Sequence, residues 1–209
     1  IPANWKGQRE QLVLERAHWQ TTLWVDDTKI GSRDSLVAPH EYELGELTPG
    51  THRLTIRIDN RMILPYRPDG HSVSDALGAA WNGIAGDIRL NATSPVWIDD
   101  AQVFPNIKNK SALIKIHIGN ITGSAGAGTL TADGGEGASI PVSWTATGGD
   151  AQLTVAFGPN AQLWDEFHPN LQHLTLHLSG PSADDQRPLT FGLRQISADC
   201  PEMLLNGHQ

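Results

Sequence analysis

The segment from His52 to Asp59 reads HRLTIRID, with Leu54, Ile56 and Ile58 set between polar neighbours. That period of two puts alternate side chains on opposite faces of an extended strand, and it predicts Leu54, Ile56 and Ile58 inward with Arg53, Thr55 and Arg57 outward. Related runs recur at residues 11–27, 87–92, 96–105, 113–120, 140–147, 153–157 and 171–178. Nowhere does an apolar period of 3.6 hold for three turns. Neither a Rossmann unit nor a TIM barrel can be assembled from such a chain, because both need a long amphipathic helix after each strand. The predicted fold class is all-β.

With 209 residues and 39% hydrophobic content, the chain is large enough for two cores. Two consecutive β-sandwiches account for the strand count, with the boundary at the Ser94-Pro95 hinge, between Ala92 and Val96. The pairs Asp26-Asp27 and Pro49-Gly50 read as turns between strands. GSAGAG and ADGGEGA, at residues 123–128 and 132–138, read as flexible loops; a phosphate cradle would need a strand before it and a helix after it. The long irregular stretch 60–80 has the length of a functional loop.

Several function classes fall away on composition and spacing. Fifteen Lys and Arg against 23 Asp and Glu give a formal charge of -8, with no basic run to track phosphates, so nucleic acid is not an expected partner. The single Cys200 makes no internal disulfide, and no Cys/His set has zinc-ligand spacing, so neither a metal nor a cofactor is expected. No apolar run approaches the roughly 20 residues of a membrane helix, and Ile1 rather than Met opens the sequence, as in a processed or excised piece. The acidic pairs Asp26-Asp27, Asp99-Asp100 and Asp184-Asp185 point to opposite faces of a strand and cannot jointly flank a scissile bond. The histidines at 117, 173 and 177 are expected on outward strand faces. No serine sits in a nucleophile elbow, and no catalytic residue is assigned.

Seven tryptophans leave one opening toward a ligand, because an indole face stacks on the apolar face of a sugar ring. Trp24, Trp97 and Trp144 lie inside strand patterns and are expected in the core. Trp81 follows the long loop and is the better binding candidate.

Several motifs together resemble the non-catalytic N-terminal modules of glycoside hydrolase family 2. Trp5-Lys6-Gly7 with LVLERAHWQTTLWVDDTKIG, and LTPGTHRLTIRIDNR, match its opening strands. Trp81-Asn82-Gly83-Ile84 with Gly86-Asp87-Ile88-Arg89-Leu90 is similar to the close of its sugar-binding jelly roll. LWDEFHPNL at 163–171 looks like the L-W-S-P-x-x-P-x-L-Y segment of the following immunoglobulin-like sandwich, with Asp165 for Ser and Glu166 for the first Pro. FGLRQI at 191–196 and LLNG at 204–207 resemble its last strand and the approach to the catalytic barrel. The resemblance implies a jelly roll over 1–94, an immunoglobulin-like sandwich over 95–197 and, at 198–209, a segment leading to a barrel that lies outside the sequence. The longer opening of the family's jelly roll has no counterpart, so the first domain is expected to be shortened.

In this family the two catalytic glutamates lie in the barrel, so none is carried over. The expected partners are that barrel in cis and a carbohydrate, with Asp75, Trp81 and Asn82 the candidate sugar contacts on the rim that loop 60–80 reaches. The rival functions are a stand-alone carbohydrate-binding module and a purely structural or adhesive sandwich pair. The compartment stays open, a bacterial periplasmic or secreted setting being compatible.

Overall fold

The computed structural model describes residues 1–62, 70 and 81–208. It divides into two compact units, Ile1–Ala92 and Thr93–Gln209. Among the described residues there is no α-helix, only a short 3-10 turn at Ala3–Trp5.

The first unit contains β1 (Arg9–His18), β2 (Gln20–Val25), β3 (Thr28–Arg33), β4 (His40–Gly45), β5 (Leu54–Asp59) and β6 (Gly83–Thr93). They form two three-stranded sheets, ordered β4-β1-β6 and β3-β2-β5. Leu12, Leu14, Leu23 and Tyr42 are buried between them, with Ile30, Leu44, Ile56, Ile84 and Leu90 packed around. The alternation in β5 therefore does face a core, with one correction. Leu54 is exposed, because it pairs with Val25 at the very end of the ladder, beside the Asp26 turn, where the second sheet no longer covers it.

A polar chain crosses this apolar core. The Thr21 hydroxyl of β2 lies 2.6 Å from His40 Nδ1 and 2.7 Å from the Tyr42 hydroxyl, both on β4. His40 Nε2 is 2.7 Å from the Ser35 carbonyl. A carbonyl only accepts, so His40 donates from Nε2, and a neutral ring then accepts at Nδ1 from Thr21. Tyr42 in turn donates to Thr21, its one proton shared between the hydroxyl and, at 3.0 Å, the carbonyl. Burial raises the Tyr42 pKa despite the hydrogen bond to Thr21, which keeps the phenol protonated as donor. Thr21→Val keeps the shape and leaves two buried groups without this partner. Denaturant unfolding should show a loss of about 2–4 kcal/mol, against about 0.5 kcal/mol or less for an exposed control such as Thr55→Ser.

The Pro-Gly turn is clamped to the β2–β3 turn. Asp26 sits at φ 52°; its carboxylate accepts from Arg53 N–H at 2.8 Å and from His52 Nδ1 at 2.9 Å. His52 Nε2 faces the Thr48 carbonyl at 2.8 Å. With an acceptor at each nitrogen the imidazolium is favoured, so the hydrogen bond to Asp26, then that to Thr48, raises the His52 pKa above 6.5. The Arg53 N–H, then His52, lowers that of Asp26 below 3.8. The raised His52 contributes stability that is lost as pH rises through its folded pKa, and the lowered Asp26 contributes stability that is lost as pH falls through its own. The clamp is therefore strongest between those limits. Following the His52 ring protons by NMR should give a midpoint above that of free histidine, and Asp26→Asn should bring it back down.

The second unit contains β7 (Val96–Asn106), β8 (Ser111–Asn120), β9 (Gly126–Asp133), β10 (Ala138–Trp144), β11 (Gly149–Ala156), β12 (Leu171–Gly180) and β13 (Ala183–Gly192), followed by a hairpin of β14 (Ile196–Asp199) and β15 (Glu202–Leu205). The seven-stranded order is β10-β9-β12-β13-β7-β8-β11. Ile114, Ile116 and Ile118 of β8, Leu153 and Val155 of β11, and Leu174, Leu176 and Leu178 of β12 supply most of the core. His117 and His173 lie exposed between those inward positions, and His177 is half-buried there, as the alternation predicts.

Two expectations are corrected here. Gly126 and Gly128 are strand residues rather than loop, since β9 begins inside the Gly-rich run; a Cβ at Gly126 would lie 2.7 Å from Trp144 Nε1. Trp144 is core, but Trp24 and Trp97 are only half-buried, standing on outward strand positions beside the buried Leu23, Val25, Val96 and Ile98. The tryptophan that is fully buried in the first unit is Trp19, with its Nε1 donating to the Asp34 carbonyl at 2.9 Å. Strand β13 has no sequence signal: ADDQRPLTFG carries acids at its start and a proline inside. It is held instead by ten pairs to β12 and a parallel contact to β7, with Asp185 accepting from Ile98 N–H at 2.8 Å.

Candidate functional site

Strands β1 and β6 are neighbours, and the motif that opens β6 is built around β1. Gly83 and Gly86 both have positive φ, 99° and 78°. At Gly86 the Glu15 carboxylate of β1 also occupies the space where a Cβ would lie, so a side chain there would displace it, and it accepts from Asp87 N–H at 2.8 Å. Ile84 packs into the core. The W-N-G-I-x-G pattern is thus a device for bending the chain onto β1, and the bend delivers Trp81 to the end of that strand.

There the Trp81 ring lies 5.1 Å from the imidazole of His18, tilted by 53°, and 44% of the residue stays exposed. His18 itself is 2% exposed, and neither ring nitrogen has a hydrogen-bond partner among the described residues. On its other side the Trp19 ring is 5.8 Å away. Asn82 is exposed. Of the three candidate sugar contacts, the structure therefore sets Trp81 and Asn82 next to each other at the start of β6; Asp75, with the stretch 63–69 and 71–80, lies outside the described residues. Sequence reasoning missed His18, since a histidine at a strand end beside a tryptophan carries no motif of its own. The arrangement offers an aromatic face, an amide and a buried imidazole. Among the described residues no group of three His, Cys, Asp or Glu side chains converges as a metal would need.

The 163–171 segment is a turn held from both sides. Asp165, standing where the family pattern has Ser, accepts from Phe167 N–H at 2.9 Å and His168 N–H at 2.6 Å. Desolvation pulls its pKa up, but these bonds outweigh it and hold it below 3.8. Asn206 of the LLNG motif accepts from Gln195 N–H at 2.9 Å and donates to the Trp164 carbonyl at 3.0 Å. The Arg194 guanidinium sits 4.4 Å above the Trp164 ring. The three motifs of this end are one interlocked structure.

Fold and site together define a pair of β-sandwich modules with a half-exposed tryptophan at a strand end. No family model matches the sequence. It is 24% identical over 230 residues to a beta-glucuronidase of Paenibacillus borealis, a match covering 100% of this chain and 37% of that protein. A beta-glucuronidase of Felis catus is 24% identical over 248 residues, covering 99% and 36%. The structure superposes on a GH2 beta-galacturonidase from Eisenbergiella tayi with a TM-score of 0.79 at 20% identity, over 97% of this chain and 36% of that one. A glycosyl hydrolase family 2 member from Bacteroides cellulosilyticus gives 0.77 at 17%, over 100% and 29%. The fold is that of the N-terminal β-sandwich domains of glycoside hydrolase family 2, and the chain spans little more than a third of the curated relatives it matches.

Exposure decides what Trp81 contributes to stability. A fully buried tryptophan cut to alanine costs about 3–5 kcal/mol; with this ring half in water, Trp81→Ala should cost about 1–2 kcal/mol in denaturant unfolding.

Proposed function

We propose that this chain is the non-catalytic N-terminal part of a family 2 glycosidase, of β-galactosidase, β-glucuronidase or β-mannosidase type. Its sandwiches brace a catalytic barrel in cis, and its rim lends Asp75, Trp81 and Asn82 to the sugar pocket. In this reading residues 1–94 are the sugar-binding-type jelly roll, 95–197 the immunoglobulin-like sandwich and 198–209 the passage to the barrel. The observation that carries it is the asymmetry of coverage, nearly all of this chain against 36–37% of each relative.

The β14–β15 hairpin supports it. Ile196 pairs with Leu205 and Ala198 with Met203, so all four share one face. Ile196 is 59% and Met203 72% exposed, and the exposed Phe167 lies beside Leu205 around a common hollow. Uncovered apolar groups of that size mark a surface made to be covered, and a following domain covers it at no cost in association entropy.

A second reading, the stand-alone carbohydrate-binding module, is favoured by the exposed Trp81. Both readings leave the isolated chain without activity; the longer protein separates them. The purified chain should hydrolyse no aryl β-galactoside, β-glucuronide or β-mannoside above a buffer blank. In the longer protein, Trp81→Ala should raise KM several-fold with kcat little changed, as expected when a binding contact outside the reacting centre is lost. A parent gene that ends without a (β/α) barrel would defeat the glycosidase reading and leave the module.

A further inference from the structure

Asparagine is followed by glycine twice in the chain, at Asn82-Gly83 and Asn206-Gly207. In such a pair the main chain can attack its own side chain. The glycine nitrogen adds to the asparagine Cγ, the Cγ–Nδ2 bond breaks, ammonia leaves and a succinimide ring closes. Water then opens either carbonyl of the ring and leaves an aspartate or an isoaspartate. Glycine favours closure because no side chain shields the attacking nitrogen. Closure also needs an asparagine side chain free to turn toward that nitrogen, and there the two pairs differ. Asn206 is held at both ends of its amide: Oδ1 accepts from Gln195 N–H at 2.9 Å and Nδ2 donates to the Trp164 carbonyl at 3.0 Å. Its own N–H is bonded to the Gln195 carbonyl at 2.8 Å, and the bridge between Leu205 and His208 closes the turn around it. Bringing Cγ onto Gly207 would break both side-chain bonds.

Asn82 is held by nothing comparable. It is exposed, and its amide makes no hydrogen bond among the described residues. Gly83 stands at φ 99°, and among the described residues no atom beyond its chain neighbours lies within 4 Å of where a Cβ would be, so the ring has room to form. We propose that Asn82-Gly83 is a spontaneous modification site, at which the rim amide is converted in the folded protein to a carboxylate while Asn206-Gly207 is spared. The conversion adds one negative charge to a chain whose formal charge is -8, beside Trp81. As isoaspartate it also inserts a methylene into the main chain just before the glycine that begins the bend onto β1, which moves Trp81 relative to the His18 ring on which it rests. That this alters sugar binding rests on the function proposed above; the conversion itself rests on the surroundings of the two asparagines.

Peptide mass mapping of the 209-residue chain, incubated at mildly alkaline pH with and without denaturant, tests it. In the folded chain the peptide carrying Asn82 should gain the mass of amide-to-acid conversion about tenfold or more faster than the peptide carrying Asn206, the scale of the two hydrogen bonds that hold Asn206. In denaturant neither asparagine is held, and the two rates should converge. Asn82→Gln, an exposed change, should abolish the faster conversion, since glutamine must close a larger ring. An Asn82 peptide that stays unconverted in the folded chain, equal rates for both peptides there, a difference that persists in denaturant, or a mass gain that survives Asn82→Gln would each overturn the proposal. The readout involves no sugar and no barrel, so failure of the glycosidase reading would leave a positive result standing, and a negative result here would leave that reading intact.

Discussion

The first unit depends on one buried polar chain, from the Tyr42 hydroxyl through Thr21 and His40 to the Ser35 carbonyl. Its members belong to opposite sheets, β2 on one side and β4 on the other. Apolar packing between the sheets is non-directional and tolerates sliding; donors and acceptors that must meet at hydrogen-bond distance do not. A slip of one residue would turn Thr21 outward and strand both His40 and Tyr42 in the core. The register of β1, which pairs with β4 from Glu10 to Leu14, is thereby fixed as well, and with it the place of His18 at the strand end.

The rim site inherits that register. Glu15 lies on β1 three residues before His18, and its carboxylate receives the Asp87 N–H while filling the space that Gly86 leaves open. The turn that carries Trp81 is therefore set by a β1 side chain, and the face Trp81 presents is set by the His18 ring beneath it. An imidazole whose nitrogens have no partner among the described residues gives up free energy that folding alone does not return. Such a group under a half-exposed indole is where a binding residue and a packing residue are hardest to tell apart.

What was legible in the sequence follows from the range of the interactions. Period-two alternation is local, so the strand faces of β5, β8 and β12 could be read directly, as could the Asp26 and Pro49-Gly50 turns. The all-β class followed from the same signal. Strand β13 could not be read, because its place is secured by β12, by β7 and by the Asp185 carboxylate rather than by its own residues. The polar chain through the first core was equally invisible: Thr21, His40 and Tyr42 are ordinary strand residues until the two sheets bring them together. At the rim, Trp81 and Asn82 could be named because they belong to a motif, whereas His18 belongs to none.

The glycines show why the Gly-rich run was misread as loop. In the second unit each tryptophan lies on a glycine of a neighbouring segment: Trp97 on Gly119, Trp144 on Gly126, and Trp164 on Gly192, where a Cβ would come within 2.6 Å of the Trp164 Cβ. Glycine in a strand usually weakens it; here its missing side chain is replaced by an indole face, so backbone freedom is not what the sequence is using. A tryptophan seated this way has its ring committed to structure on at least one side. Among the described residues Trp81 has no such seat. It rests on an imidazole, with 44% of its surface open, and that difference in support, more than its position after a long stretch of chain, separates it from the tryptophans of the second unit.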